Sequence, residues 1–467
     1  MRILLVNPPV GRMTLGLKDI AKVEPLGLEI IGAAVPDHEV RIFDMQLEDD
    51  LEGELEAFEP DIVGVTAGVV QTYTARRVAK TAKCHDLEIA TVIGGHHATL
   101  CPDEFDSPWV DAVVIGTGVE AFRDIVARLD SGGELSSVPG LAIPTGDGIE
   151  RTQPRGLPAD LHHHPLPDRS LTDRYRDDYF YLYESPVALV QTSAGCTFPC
   201  NFCSCREFTG RRYLPRSIDK IVEDLENVDE EFVIFCDDHS FLNAKRMHEL
   251  ADRIKEAGVD KRIFAYSRVD CVVDNPDLFR KWSDIGLELL MTGLEAIDDS
   301  TLDSIQKRTR ADINERALEI LGDCGIGVSA GFVVMPDFRE EDFQRIDKYV
   351  DEHPNIHIAE LTPYTPLPGT PLYEEKKDEV VTQNREVYDL FHFVLPTEQP
   401  REELDRLFWK YSHRNMIRAF LRTGCLTRGD VVFSTPFFRM VAGALRQSWQ
   451  MSTGSRYLES LKPPPHV

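Results

Sequence analysis

Long apolar runs are missing from this sequence. No stretch approaches the roughly 18 uncharged apolar residues that would span a bilayer. The N-terminal MRILLVNPP reads as a β-strand, with no signal-peptide apolar region or cleavage site behind it. Both absences point to a cytoplasmic protein. Positive charge is also short: 51 Lys and Arg stand against 79 Asp and Glu in 467 residues, a formal net charge of −28. That balance excludes a nucleic-acid binder gripping phosphates over a broad basic face. Lysine is scarce, 15 against 36 arginines, which resembles a salt-adapted or high-GC proteome more than a functional signature. No internal repeat is visible. The hydrophobic fraction, 42%, is ordinary, so the chain can build cores and is not disordered at large. Length alone suggests about three domains.

What is present is unevenly spread. Residues 1–400 carry −34 and residues 401–467 carry +6. Of ten cysteines, Cys196, Cys200, Cys203 and Cys205 crowd into ten residues, which in a reducing compartment means metal or catalysis rather than disulfides. Cys205, Cys236, Cys271, Cys324 and Cys425 read as core or incidental thiols.

Residues 1–145 alternate helical stretches with the apolar runs RILLVN (2–7), VRIFD (40–44), DIVGVTAG (61–68), IATVIGG (89–95) and DAVVIGTG (111–118). Near-continuous apolar strands separated by helices imply a parallel sheet covered on both faces, a Rossmann-like domain. Residues 146–185, rich in Pro, Asp, His and Gly, read as an extended linker. The triple histidine at 162–164 in it could ligate a metal, but adjacent residues share no helix face. A second series over 186–395 runs through VALVQTSAG (187–195), FVIFCDD (232–238), RIFAYSRVD (262–270), LELLMTGLE (287–295), GVSAGFVVM (327–335) and HIAELTPYTP (357–366). Helices near 218–228, 244–257 and 315–324 lie between. Six or so β/α units fit an open or closed parallel barrel with its chemistry at the C-terminal strand ends. Residues 396–467 look helical before a closing PPPHV.

CTFPCNFC sets Cys196, Cys200 and Cys203 on a short loop directly after a strand. Three thiolates there can bind three irons of a cubane cluster and leave the fourth open to a substrate or cofactor. Two other readings compete: a zinc site that adds Cys205, whose one-residue spacing from Cys203 is tight for zinc, or plain core thiols. This spacing on the loop after a first barrel strand resembles the radical S-adenosylmethionine superfamily, over about residues 186–395. The resemblance implies a 4Fe-4S cluster whose open iron is chelated by S-adenosyl-L-methionine, and one-electron cleavage to a 5′-deoxyadenosyl radical. It implies an electron donor such as flavodoxin or ferredoxin, and oxygen sensitivity. It places Asp237 and Asp238 of FCDD by the methionine group, and Arg268, after Ser267 in SRVD, at the carboxylate or the substrate. It places Glu295 and Gly293 of TGLE near the ribose hydroxyls, and LPGTPLY (367–373) at the far end of the barrel. Read from the residues alone, these acids are equally a turn or helix start, Arg268 and Glu295 solvated strand-end charges, and LPGT a type II turn.

Within that superfamily, the N-terminal domain resembles a cobalamin-binding module. VEPLGLEIIGAAV (23–35) resembles its proline-leucine-glycine helix start. GGHHAT, with Gly94, Gly95, His97 and Thr99, resembles the loop after the fourth strand, and GTGVEAF, with Gly116 and Gly118, the turn after the fifth. Strand-end glycines allow close backbone approach, and helix N-termini favour phosphate. The Asp-x-His-x-x-Gly element that supplies an axial histidine is absent, and of the acidic glycine turn only Glu120 remains. The resemblance therefore implies base-off cobalamin or a degenerate structural domain.

The segment VVFSTPFFRMVAGALRQSW (431–449) has one apolar stripe if helical, with Arg439 and Arg446 off it. It could lie on an anionic membrane surface or pack on the barrel. HFVLPTEQPREELDRLFWKYSH (392–413) resembles the post-barrel segment of hopanoid methylases and related enzymes acting on isoprenoid or tetrapyrrole substrates. The whole reads as an α/β protein: a Rossmann-like cobalamin-binding domain, a partial (β/α)6 TIM-type barrel and a C-terminal helical region. The implied activity is a radical methyltransferase acting on an unactivated carbon of a small, lipid-like molecule. The alternatives are a radical cyclase or rearrangement enzyme, or a non-catalytic metal-binding protein.

Overall fold

The computed structural model describes residues 1–16, 20–423 and 462. The expected tail helix at 431–449 lies outside the described residues.

The N-terminal unit is a seven-stranded sheet. Its elements are β1 (Arg2–Asn7), α1 (Leu26–Ala33), β2 (Glu39–Asp44), α2 (Leu51–Phe58), β3 (Ile62–Thr66), α3 (Thr72–His85), β4 (Ala90–Gly94), α4 (His96–Leu100), β5 (Ala112–Val114), α5 (Val119–Asp130), β6 (Leu141–Pro144) and β7 (Ile149–Arg151). The order is β2-β1-β3-β4-β5-β6-β7, parallel through β5 and antiparallel thereafter. The apolar strands bury both faces, one side chain set packing under α2 and α3, the other under α1 and α5. The expected boundary at 145 falls inside the β6–β7 hairpin. Thr145-Gly146-Asp147-Gly148, which reads as linker composition, is its turn, closed by Thr145 N–H to the Gly148 carbonyl at 2.9 Å.

The second unit is a six-stranded, wholly parallel sheet in sequence order: β8 (Val187–Val190), β9 (Phe232–Phe235), β10 (Arg262–Tyr266), β11 (Leu287–Glu295), β12 (Gly327–Val334) and β13 (Ile356–Pro363). Its first and last strands do not pair among the described residues, so the barrel is partial. The helices α6 (Ile218–Glu226), α7 (Ala244–Ala257), α8 (Val269–Asp274), α9 (Pro276–Ser283), α10 (Ala311–Asp323) and α11 (Glu340–Glu352) cover its outer face. The start and stop signals of α7 are local. The Asn243 side chain caps the Arg246 N–H at 3.1 Å, and Gly258 ends the helix at φ 70°. The helix α12 (Arg401–Arg422) lies along β13 and closes the exposed edge.

Residues 146–185 are not an extended linker. Tyr175, Tyr179 and Phe180 are buried. Arg169 reaches Glu24 at 2.6 Å and Asp224 at 3.0 Å, and Arg176 pairs with Glu24 and Glu230. Paired arginines read as hydrophilic in sequence while they bind the two sheets together. His162 and His163 are exposed and His164 is buried, so the three do not converge as a metal site.

Candidate active site

The segment between β8 and the cysteines is held by the end of β9. Asp237 accepts from the backbone N–H groups of Thr192 at 2.8 Å and Ser193 at 2.9 Å, and from the Thr192 hydroxyl at 2.5 Å. Asp238 accepts from the Gly195 N–H at 2.6 Å. Both acids thus grip the backbone that leads into the cysteines, and Asp238, exposed, also faces Cys205 and His96. Gly195 sits at φ 83°, and a Cβ there would overlap the Arg212 carbonyl and the Thr209 hydroxyl, so only glycine can precede Cys196. Cys196, Cys200 and Cys203 follow on one loop, with Cys200 buried. Burial and the neighbouring sulfurs push the Cys196 thiol up to about 11, while a hydrogen bond with Cys205 draws Cys203 down to about 7. The LPGTPLY loop touches this one, Leu372 N–H donating to the Asn201 carbonyl at 3.0 Å.

Strand β10 ends at Tyr266, so Ser267 and Arg268 stand at the strand end and α8 begins immediately after. The Arg268 guanidinium lies 4.0 Å over the Phe198 ring. It donates to Cys200 Sγ at 3.4 Å, to Asp270 at 2.9–3.1 Å and to the Lys307 carbonyl at 3.2 Å. His239 Nε2 accepts the Arg268 backbone N–H at 3.1 Å, and burial lowers this imidazole to about 4, keeping it neutral. At the end of β11, Glu295 has φ 63° and its Oε1 meets Lys307 Nζ at 2.7 Å. A Cβ on Gly293 would overlap that carboxylate, so the glycine makes room for the pair. Lys307 was not legible in the sequence, because a loop returns it to the strand end.

In the N-terminal unit, Gly94, Gly95, Gly116 and Gly118 line a cavity of about 250 Å³ at the C-terminal edge of the sheet. Thr99 supports it indirectly, its hydroxyl accepting the Gly116 N–H at 3.1 Å. His97 does not face the cavity. Its Nε2 meets Glu104 at 3.0 Å, which corrects the expectation of a cofactor contact. His96 instead stacks on Phe208, a wall residue, with ring centroids 5.2 Å apart. The opposite wall includes Gln191 and Ala194, on the segment running into Cys196.

Residues 17–126 match the B12 binding domain family and residues 190–350 the radical SAM superfamily. The hopanoid C-3 methylase of Methylococcus capsulatus is 32% identical over 411 residues, 86% of this chain and 78% of that protein. The chain belongs to the cobalamin-dependent radical S-adenosylmethionine methyltransferases. An uncharacterized methyltransferase of Pyrococcus horikoshii is 32% identical over 390 residues, 80% of this chain and 83% of its own length. Among solved structures, the cobalamin-dependent S-adenosylmethionine radical enzyme OxsB, with aqua-cobalamin and S-adenosylmethionine bound, shares the fold at TM-score 0.67 and 14% identity. That likeness covers 98% of this chain and 80% of OxsB.

As a cobalamin-dependent radical S-adenosylmethionine methyltransferase, the protein uses a 4Fe-4S cluster, S-adenosyl-L-methionine and cobalamin. Its residues fit these groups. Three soft sulfurs on one loop suit an iron–sulfur cluster, the Glu295 carboxylate suits hydroxyl groups, and the glycine-floored cavity suits a ligand pressed against backbone.

Proposed function

We propose that this methyltransferase acts on an unactivated carbon of an apolar, isoprenoid-like small molecule, with Cys196, Cys200 and Cys203 holding the cluster. The observation that carries this reading is a shared wall. Gln191 and Ala194, which lead into the cysteine loop, line the same cavity as the glycine turns after β4 and β5, so the chain that carries Cys196 forms part of the wall of the cobalamin-side cavity. When bound, the cofactors supply a hydrogen-abstracting 5′-deoxyadenosyl radical and a transferable methyl group, which a second S-adenosylmethionine restores.

The chain supplies position. Asp237 and Asp238 fix the segment that carries Cys196. Arg268 holds positive charge against Cys200, while Ser267, Gly293 and the Glu295–Lys307 pair offer polar contacts for S-adenosylmethionine. Gly94, Gly95, Gly116 and Gly118 would receive cobalamin against the backbone, and the Asp-x-His-x-x-Gly motif is absent from the sequence. A lipid-like substrate is supported by the name of the hopanoid relative and by the segment 392–413. A reduced flavodoxin or ferredoxin would serve as electron donor, and residues beyond 423 are assigned any contact with a membrane surface.

The test is anaerobic. Reconstituted protein with reductant and S-adenosylmethionine is expected to yield 5′-deoxyadenosine and S-adenosylhomocysteine, the latter only with cobalamin. Absence of 5′-deoxyadenosine with every candidate substrate would sink the radical reading. Its formation without S-adenosylhomocysteine would favour cyclisation or rearrangement, and absence of iron and sulfide would favour zinc.

A further inference from the structure

A second cavity, of about 320 Å³, opens at the seam of the partial barrel, bounded by β13, α12, Tyr181–Tyr183 and Ile20–Ala21. Its wall is largely apolar and aromatic, with Phe391, Trp409 and Phe420, and includes Ser412, His413 and Asn415; among the described residues no lysine or arginine lines it. Two acids do. Asp389 is spent within the fold, accepting from the N–H groups of Leu15 at 2.7 Å, Phe391 at 2.9 Å and His392 at 3.0 Å and meeting His392 Nδ1 with both oxygens at 3.0 Å. Glu360 is not. Only its Oε1 is engaged among the described residues, by the Ser329 hydroxyl at 2.7 Å.

Glu360 lies deep yet remains partly accessible from the cavity. Tyr181 and Tyr266 lie beside it, Tyr183 and His413 share the cavity wall, and burial raises its carboxyl against the Ser329 hydrogen bond. The strand register connects this group to the reaction side. Glu360 stands opposite Gly331, and Gly331 opposite Gly293. Two strand spacings set Glu360 about 10 Å from Gly293, with the Met291 methyl beside Gly331 and the Glu295–Lys307 pair over Gly293 between them.

We propose that this cavity receives the substrate, an apolar polycyclic or polyprenyl body, and that Glu360 hydrogen-bonds its one neutral oxygen, a hydroxyl or carbonyl. The proposal rests on the methyltransferase reading for the fate of the bound molecule, not for where it binds. A cationic head group fits less well, because a desolvated ammonium needs several charged or strongly polar acceptors and, among the described residues, Glu360 is the one lining carboxyl not already held by N–H donors.

Full-length reconstituted protein is tested by equilibrium dialysis against a triterpene alcohol, its parent hydrocarbon and the corresponding primary amine. The alcohol is expected to bind about tenfold more tightly than the hydrocarbon. Glu360→Gln, which keeps a donor, should hold the alcohol within about threefold, and Glu360→Ala should lose about tenfold. Ala419→Trp, which fills the cavity from α12, should lose binding with iron and cobalamin contents unchanged. Alcohol binding unaltered in Glu360→Ala or Ala419→Trp would overturn the proposal, as would an amine bound most tightly and lost in Glu360→Gln, or no binding of any probe. Alcohol binding without S-adenosylhomocysteine formation would count against methyl transfer alone. Turnover of the alcohol at unchanged KM in Ala419→Trp would count against the cavity alone.

Discussion

At Asp237 a single buried carboxylate gathers two backbone N–H groups and a hydroxyl, and through them sets the path of the chain into Cys196. Removing it strands those donors in a dry site, at about 1–3 kcal/mol for each buried group left unsatisfied. Asp237→Ala is therefore expected to lose iron on desalting after reconstitution, whereas Asp237→Asn, which keeps an acceptor, should retain more of it. Equal iron in wild type and Asp237→Ala would remove Asp237 from this role. The sequence placed this acid at a strand end but not its direction, because direction depends on β8 lying beside β9. Glu360 left a fainter trace, one charge inside the apolar run HIAELTPY. A different acid sets a pH dependence. Burial, reinforced by Glu24, raises Glu29 from 4.5 to about 8 against the pull of Arg169. Its stabilising protonated form is fully present below pH 4.5 and is lost as pH rises through about 8. Stability, read as melting temperature, should fall across that window, by on the order of 5 kcal/mol at most, and the fall should flatten in Glu29→Gln. Parallel pH profiles for the two proteins would refute the assignment.

The strands were the most legible elements, because parallel strands buried on both faces read as continuous apolar runs, and the cysteine loop was legible from spacing alone. Less visible were elements joined by charge. Residues 146–185 look like linker because Arg169 and Arg176 carry their contacts. Segment 384–392, which follows the barrel strands, is clamped to the N-terminal unit by Arg385, whose guanidinium meets both Glu104 oxygens at 2.9 and 3.0 Å. Although burial pushes Glu104 up, its hydrogen bonds with His97 and Arg385 hold it down at about 2. A depressed acid stabilises above its unfolded value of 4.5 and loses that contribution as pH falls through about 2. Glu104→Gln should therefore destabilise the protein at neutral pH and narrow its stability difference from wild type on acidification. A difference that stays constant down to about pH 2 would show that the clamp does not hold the segment electrostatically.

For the whole molecule, the split of −34 and +6 about residue 400 suggests two regions with different outside partners. The fold revises this, because much of the positive charge through residue 422 is paired within the chain, part of it at the surface. Arg401 pairs with Asp405 at 3.1 Å, and Lys410 with Glu340 at 2.6 Å. Arg414 and Arg418 share Asp347 at 3.0 and 2.7 Å, and Arg422 donates to the carbonyls of Val350, His353 and Ile356. These residues fasten α12 to α11 and the β13 edge and leave little field for a membrane. Exposed Ile417 and Leu421 on α12 offer too little apolar area to anchor the chain by themselves. Any attraction to anionic lipid must then come from the arginines beyond Gly424, at 428, 439, 446 and 456, with Lys462. Full-length protein is accordingly expected to float with vesicles rich in phosphatidylserine and to release at high salt, while a chain ending at Gly424 stays at the bottom of the gradient. Flotation of the shortened chain would return the attraction to α12 and its apolar pair. Failure of both to float would mean that the tail's charge has no lipid partner, and the substrate would have to reach the barrel seam from solution.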